Sequence, residues 1–177
     1  MSKIVGIDLG TTNSLVAIVD SGFDVTHPLL RPSLWKNPGE TGLDSQGRDK
    51  ATNGVDDDGN GFVDDVSGWN FFENTGDLSD GVRPHGTHVA GIVAGQAGRY
   101  DFTGVAPGAR FMALKFMDTD GTGNIGNALT AMEYALAHGA KVINASWGGG
   151  YCSQLLKERI AWATSQGATF LAAAGNN

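Results

Sequence analysis

The most constraining feature of the sequence is a glycine-studded run that begins at His85. Residues 85–95 read HGTHVAGIVAG, so small residues recur along a segment that otherwise has a helical pattern. Glycine costs a helix about 1 kcal/mol per interior position relative to alanine. We therefore expect Gly86, Gly91 and Gly95 to leave room for backbone that packs closely against this helix.

An apolar run that ends in an acid precedes this helix in the sequence. Residues 15–19, LVAIV, are partly β-branched, which predicts a buried strand, and Asp20 follows them directly. Functional groups in α/β sheets collect at the carboxyl ends of strands. Asp20 is therefore a candidate functional residue.

Strand and helix patterns alternate over the second half of the chain. The predicted elements are a strand at 110–116, a helix at 124–138, a strand at 141–147, a helix from about 155 that closes at Gly167, and a strand at 168–174. Such alternation with short joins implies right-handed crossovers. The sequence thus predicts an α/β fold, a parallel β-sheet with helices on both faces.

A long polar excursion separates the acid from the histidine helix. Residues 23–80 are rich in Gly, Asp and Asn and hold little periodic pattern, so we expect a long surface loop. Within it, 56–65 read DDDGNGFVDD, with oxygen-bearing residues at alternate positions around a glycine. This pattern predicts a structural Ca²⁺ site, although its twelfth position is Ser67 where glutamate is usual. A solvated acidic turn is the alternative. The predicted ligands are the side chains of Asp56, Asp58, Asn60 and Asp64 and the carbonyl of Phe62.

Three motifs together resemble the subtilisin-like serine proteases (subtilases, peptidase family S8). They are VAIVDSG at 16–22, HGTHVAG at 85–91 and AAAGN at 172–176, and the likeness covers about residues 16–177. The resemblance implies a subtilisin-like fold and a serine-type endopeptidase with an Asp/His/Ser triad. By the same resemblance, Asp20 orients the base, His85 is the base, and Asn176 is the side-chain donor of the oxyanion hole.

The resemblance also implies two segments that pair with an extended peptide or protein substrate. They are Gly121-Thr122-Gly123 and Ser146-Trp147-Gly148. Turn chemistry alone is the alternative for the glycines. Trp147 is expected either to wall the pocket for the residue before the cleaved bond or to lie in the core. His88, which follows His85 on the helix, is expected to be a hydrogen-bonded packing residue.

The sequence has no serine in the G-T-S-M-A setting that the resemblance requires for the nucleophile. We therefore expect an incomplete, truncated fold with two members of the triad, inactive on its own. A sheet that lacks part of its cover also leaves an edge that favours association.

The beginning of the chain resembles a different family. Residues 4–14, IVGIDLGTTNS, are similar to the first phosphate loop of the heat-shock chaperone ATPases, in which Asp8 would act near Mg²⁺. This predicts a chimera with a chaperone-ATPase-like leader at 1–15 and the N-terminal portion of a subtilisin-like protease domain at 16–177. Two alternatives stay open: an ATP-binding chaperone-type fragment, and a non-catalytic calcium-binding scaffold.

Composition and charge limit the classes of binding partner and the cellular location that we expect for this chain. The chain has 12 Lys and Arg against 19 Asp and Glu, a net charge of −7, which argues against nucleic acid. No run of about 18 apolar residues could span a membrane. The resemblance implies a mostly secreted family, but Asp8 interrupts the apolar start, so we expect no signal peptide and a cytoplasmic location for the chain as written.

Overall fold

The described part of the protein contains one parallel β-sheet. A computed structural model describes residues 14–82, 84–96, 102–149 and 152–175. Five strands in the order β2-β3-β1-β4-β5 form the sheet, and every pairing is parallel. The strands are β1 (Leu15–Asp20), β2 (Gly68–Asn70), β3 (Arg110–Lys115), β4 (Val142–Ala145) and β5 (Thr169–Ala172). The helices are α1 (His85–Ala94), α2 (Ile125–Ala137) and α3 (Gln154–Ser165), with short 3-10 turns at Arg31–Ser33 and Lys50–Thr52.

The central strand β1 is buried on both faces. Because side chains alternate along a strand, Ala17 and Val19 pack into the cluster that contains α2, whereas Val16 and Ile18 pack into the cluster that contains α1. Helix α3 contacts α2 and β5. The predicted α/β fold, with helices on both faces of a parallel sheet, is thus confirmed.

Local signals account for where the later helices begin. The side chain of Asn124 accepts a hydrogen bond from the backbone N–H of Asn127 at 2.8 Å, and the hydroxyl of Ser153 accepts one from Leu156 at 3.2 Å. These N-caps satisfy donors that the first turn leaves free. In the described part of the chain, no helix is long and apolar enough to cross a bilayer.

The prediction of a featureless surface loop over residues 23–80 is wrong. Residues 68–70 form β2, which pairs with β3 at one side of the sheet. Several apolar residues of the span are buried in the two core clusters: Phe23, Leu30, Leu34, Trp69, Phe71 and Leu78. These residues are too widely and irregularly spaced to produce a periodic pattern, so their burial depends on contacts with distant elements.

Close packing of another segment against α1 holds at Gly86, where a Cβ atom would lie 2.1 Å from the carbonyl oxygen of Gly22. At Gly95, which caps the end of α1, a Cβ atom would lie 2.6 Å from the carbonyl oxygen of Gly91 in the helix itself. For Gly91 the expectation is wrong, because a Cβ there would meet no described atom within 4 Å.

Candidate active site

A buried carboxylate and a half-exposed imidazole meet at the carboxyl edge of the sheet. Asp20 ends β1 and is completely buried, while His85 opens α1 with 52% of its side chain exposed. The Nδ1 atom of His85 lies 2.7 Å from Oδ1 of Asp20, although 65 positions separate the two residues in the chain. The fold therefore brings together the two residues that the sequence selected.

The contacts of Asp20 determine how the imidazole can act. Its Oδ1 atom also accepts hydrogen bonds from the backbone N–H (2.8 Å) and the hydroxyl (3.3 Å) of Ser21. An ionised carboxylate is only an acceptor, so we assign the imidazole proton that faces it to Nδ1. In this tautomer Nε2 of His85 is a free base. The Oδ2 atom of Asp20 is buried without a hydrogen-bond partner among the described residues.

The hydroxyl group of Thr87 links the start of α1 to the segment that follows β1 and to the segment that precedes α1. Its hydroxyl oxygen accepts a hydrogen bond from the backbone N–H of Asp24 at 2.6 Å and donates to the carboxylate of Asp80. The helix is thereby held against the segment that follows β1. These partners have no distinctive motif, and sequence reasoning missed them.

The two predicted substrate segments follow the strands on either side of β1. Residues 121–123 lie in an exposed turn after β3, where Asp118 accepts a hydrogen bond from the backbone N–H of Thr122 at 2.8 Å. Residues 146–148 follow β4 directly. Gly121, Gly123, Trp147 and Gly148 contribute to the wall of one cavity of about 150 Å³. Both segments therefore lie at the same edge of the sheet as Asp20.

Trp147 serves the core and also lines this cavity. Its indole Nε1 donates a hydrogen bond to the carbonyl oxygen of Val19 at 2.8 Å, and its ring centroid lies 4.8 Å from that of Phe116. The side chain packs against the α2 face of the core while partly exposed. The expected packing against the core is observed, and the role of Trp147 in a substrate pocket stays a prediction.

The sequence analysis also singled out Asn176 and His88. Asn176 lies outside the described residues. His88 is exposed and lines a surface cavity with Pro84 and Phe102, so the expectation that it is a packing residue is wrong. It projects from a face of α1 that the described core does not cover.

Glu40, which lies outside the acidic motif, is close in space to two of the aspartates of that motif. One oxygen atom from each of Glu40, Asp56 and Asp58 can be chosen so that all three lie within 4.8 Å of one another. Glu40 is completely buried, and burial raises the pKa of its carboxyl, with the charges of Asp65 and Asp58 adding to this effect. Hydrogen bonds from the backbone N–H groups of Asp57 and Asp58 oppose it.

The other predicted calcium ligands lie outside this group of three carboxylates, and their role as ligands stays a prediction. The side-chain oxygen of Asn60 accepts a hydrogen bond from the backbone N–H of Phe62 at 2.8 Å. The carboxylate of Asp64 accepts from the backbone N–H of Gly54 at 3.2 Å. The ring of Phe62 packs between Trp69 and Tyr134, with centroids 5.2 Å from each.

A buried polar network joins the loop to α2. The carboxylate of Asp65 accepts hydrogen bonds from the side chains of Asn37 (2.7 Å), Asn60 (2.9 Å) and Tyr134. Burial raises the pKa of Asp65, and these three donors oppose that rise. Burial and the charge of Asp65 raise the pKa of Tyr134 in turn. The loop is therefore attached to the core through Asp65.

Comparison with known proteins agrees with the geometry. Residues 11–177 match the model of the subtilase family, Peptidase_S8, and the chain belongs to this family. It is 30% identical over 171 residues to a protein named subtilisin-like protease 1 from Plasmodium berghei, and 33% identical over 162 residues to the protein of that name from Plasmodium vivax. It is 31% identical over 169 residues to a thermophilic serine proteinase from Bacillus sp. strain AK1.

These alignments cover most of this chain and a minor part of each relative. They include 94%, 91% and 95% of the chain, but 27%, 24% and 34% of the respective relatives. The chain therefore spans about a quarter to a third of the length of these relatives.

Proposed function

We propose that this chain is the N-terminal portion of the catalytic domain of a subtilisin-like serine endopeptidase, with Asp20 and His85 as the acid and base of its triad. The observation that carries the proposal is the 2.7 Å contact between Oδ1 of Asp20 and Nδ1 of His85. Membership of the subtilase family supports it.

The proposed roles follow from the charge and exposure of the two groups. Asp20 keeps a proton on Nδ1, so Nε2 of His85 accepts the proton of a serine hydroxyl as the serine oxygen attacks the peptide carbonyl. The buried carboxylate stabilises the imidazolium that forms. His85 then gives this proton to the leaving amine, and Asn176 donates a hydrogen bond to the oxyanion of the tetrahedral intermediate.

We assign the serine nucleophile to a segment of the intact protein other than those described. No serine hydroxyl of the described residues is hydrogen-bonded to His85, and the relatives are several times longer than this chain. The 177-residue chain alone is then inactive, as the sequence predicts. A peptide substrate would lie extended between residues 121–123 and 146–148, beside the triad.

The domain division is part of the same proposal. Residues 1–15 are a leader and residues 16–177 belong to the protease domain. The subtilase match from residue 11 and the pairing of Leu15 with Arg110 in the sheet favour a start of the protease part a few residues earlier. Titration with Mg-ATP tests the leader. Binding that is lost in Asp8→Ala would favour the nucleotide-binding alternative and remove this assignment.

A fluorophosphonate probe tests the protease assignment, because it labels only an activated serine. We expect labelling of the protein extended through a downstream G-T-S segment, its loss in His85→Ala, and its retention in His88→Ala, a matched change on the same helix. The 177-residue chain should remain unlabelled. Equal labelling of His85→Ala and the parent protein would refute the role of His85, and labelling of the short chain would place the nucleophile within it.

A further inference from the structure

The observation that leads beyond the catalytic pair is a buried lysine at the carboxyl edge of the sheet. Lys115 ends β3 with 4% of its surface exposed, and among the described residues it is the one lysine or arginine that is buried. Burying an ammonium group is costly unless hydrogen bonds and an opposite charge compensate it. The mechanism proposed for Asp20 and His85 gives Lys115 no role.

Lys115 lies beside Asp20 in the sheet and points to the same face. The two residues are in register on β3 and β1. Ile18 and Ala113, two positions earlier on the two strands, both pack into the cluster that contains α1. Because side chains alternate along a strand, Asp20 and Lys115 point to the α1 face as well. The lysine therefore lies on the side of the sheet from which His85 reaches Asp20.

The ammonium group of Lys115 holds the segment that precedes α1. Its Nζ atom donates a hydrogen bond to the carbonyl oxygen of Ser79 at 3.0 Å and lies 3.8 Å from Oε2 of Glu73. Asn70, the residue in register with Lys115 on β2, donates to the same Glu73 oxygen at 2.7 Å and to the carbonyl oxygen of Asp77 at 2.8 Å. Two buried side chains of the sheet thus fix residues 73–79 at its carboxyl edge.

Ser79 and Asp80 contact both the chain after β1 and the start of α1. A Cβ atom on Gly22 would lie 2.6 Å from the carbonyl oxygen of Ser79 and 2.8 Å from Cα of Asp80, so these residues pack directly on the backbone that follows β1. The carboxylate of Asp80 accepts the hydrogen bond of the Thr87 hydroxyl in the first turn of α1. The carbonyl oxygen that Lys115 binds therefore belongs to the segment that ties α1 to the end of β1.

We infer that Lys115 is a positioning residue for the catalytic pair, because it fixes the segment that sets where α1 and His85 stand relative to Asp20. The inference rests on the proposed roles of His85 and Asp20. The side chain of His85 is half exposed, so the position of its helix constrains it more than core packing does. A shift of α1 by about 1 Å would lengthen the 2.7 Å contact with Asp20 beyond hydrogen-bond range.

The tautomer of His85 in the 177-residue chain tests this role without relying on activity. Histidine labelled with ¹⁵N reports by NMR which ring nitrogen carries the proton of the neutral imidazole, and in the parent chain this should be Nδ1. Lys115→Met keeps the unbranched side chain but removes the ammonium group, and we expect the Nε2–H form of His85 to appear. Lys36→Met is the matched control. It removes another ammonium group that donates a hydrogen bond, to the hydroxyl of Ser67 at 2.9 Å, and should leave the tautomer unchanged.

Steady-state kinetics of the protein extended through its serine segment provide the second readout. Misplacement of a catalytic group by about 1 Å can cost about 10²-fold in rate, so we expect kcat of Lys115→Met to fall by about that factor with little change in KM. Lys36→Met should keep the kcat of the parent. An inactive parent would refute the proposed peptidase, and the tautomer would then decide the role of Lys115 in the contact between His85 and Asp20.

Circular dichroism establishes that each variant folds. If Lys115→Met does not fold, Thr87→Val decides the question by the same two measurements, because it breaks the link from Asp80 to α1 at a half-buried position. An unchanged His85 tautomer or an unchanged kcat in the folded variant would overturn the inference. An equal effect of Lys36→Met would overturn it as well, since that lysine has no contact with the segment before α1.

Discussion

A Cβ atom on Gly86 would lie 2.1 Å from the carbonyl oxygen of Gly22, which means that the first turn of α1 touches the backbone following β1. The same atom would lie 3.2 Å from Cβ of Asp20. This close approach is what allows the adjacent His85 to reach the Asp20 carboxylate. The glycine is therefore required by the distance between helix and strand.

Replacing Gly86 by alanine should separate these two elements. The added methyl group must displace backbone, so we expect a loss of about 1–3 kcal/mol in the free energy of unfolding, the usual cost of overpacking. Urea denaturation measures this loss. In the intact protease, fluorophosphonate labelling should fall as well, because His85 moves away from Asp20.

Gly91→Ala is the matched control for this prediction. A Cβ on Gly91 meets no described atom within 4 Å, so the alanine should raise stability by up to about 1 kcal/mol through helix propensity. Equal destabilisation by the two alanines would show that neither effect arises from contact with Gly22.

Asp20→Asn should impair the chemical step in the intact protease. Asparagine fills the same space but can no longer hold the imidazole in the tautomer that leaves Nε2 basic. For the corresponding change in a Ser-His-Asp triad, kcat falls by about 10⁴-fold, and we expect a loss of that order with little change in KM. Steady-state kinetics on a peptide substrate provide the measurement. Asp49→Asn, at the cap of the 3-10 turn Lys50–Thr52, should leave kcat unchanged, since asparagine caps as well as aspartate.

Trp147→Phe should separate the hydrogen bond of this residue from its packing. Phenylalanine keeps an aromatic ring beside Phe116 but cannot donate to the carbonyl oxygen of Val19, so we expect a loss of about 1 kcal/mol in thermal or urea unfolding. Trp162→Phe on α3, where the indole is 39% exposed, should change stability less. A larger loss at position 162 would contradict the structural role of Trp147.

Asp44 should contribute to the acid sensitivity of the fold. The backbone N–H of Arg48 is the largest cause that lowers its pKa from 3.8 to about 2, and the Arg48 side chain adds to this effect. Because the folded pKa is below the unfolded one, Asp44 stabilises the fold above about pH 4, and this stabilisation is lost as the pH falls toward 2. Urea midpoints should therefore fall less steeply between pH 4 and 2 in Asp44→Asn than in the parent chain. Parallel curves would contradict the shift.

Sequence reasoning succeeded where burial follows a simple period. The apolar run of β1 and the helical spacing of α2 and α3 are local signals, and each predicted element agrees with the structure to within a few residues. The choice of Asp20 and His85 rested on short motifs, and their spatial contact agrees with that choice.

Sequence reasoning failed for residues 23–80, the excursion between Asp20 and His85. Strand β2 has three residues, and its pairing with β3 leaves no periodic trace in so short a segment. Glu40 likewise belongs to no motif that includes Asp56. The two residues are distant in the chain, and nothing in the sequence shows that the chain between them folds back to bring them together.

The sequence by itself determined the alternation of strands and helices, and with it the parallel sheet and the edge at which Asp20 lies, because these depend on local periodicity and chain connectivity. The motifs already paired His85 with Asp20, and the tertiary structure added the distance between them. Only the tertiary structure decided the meetings of Asp65 with Tyr134 and of Glu40 with Asp58. Such contacts depend on separations of a few ångströms, as at Gly86, which lets α1 approach the backbone of Gly22 by lacking a side chain. Distances of this kind arise from packing of the whole chain.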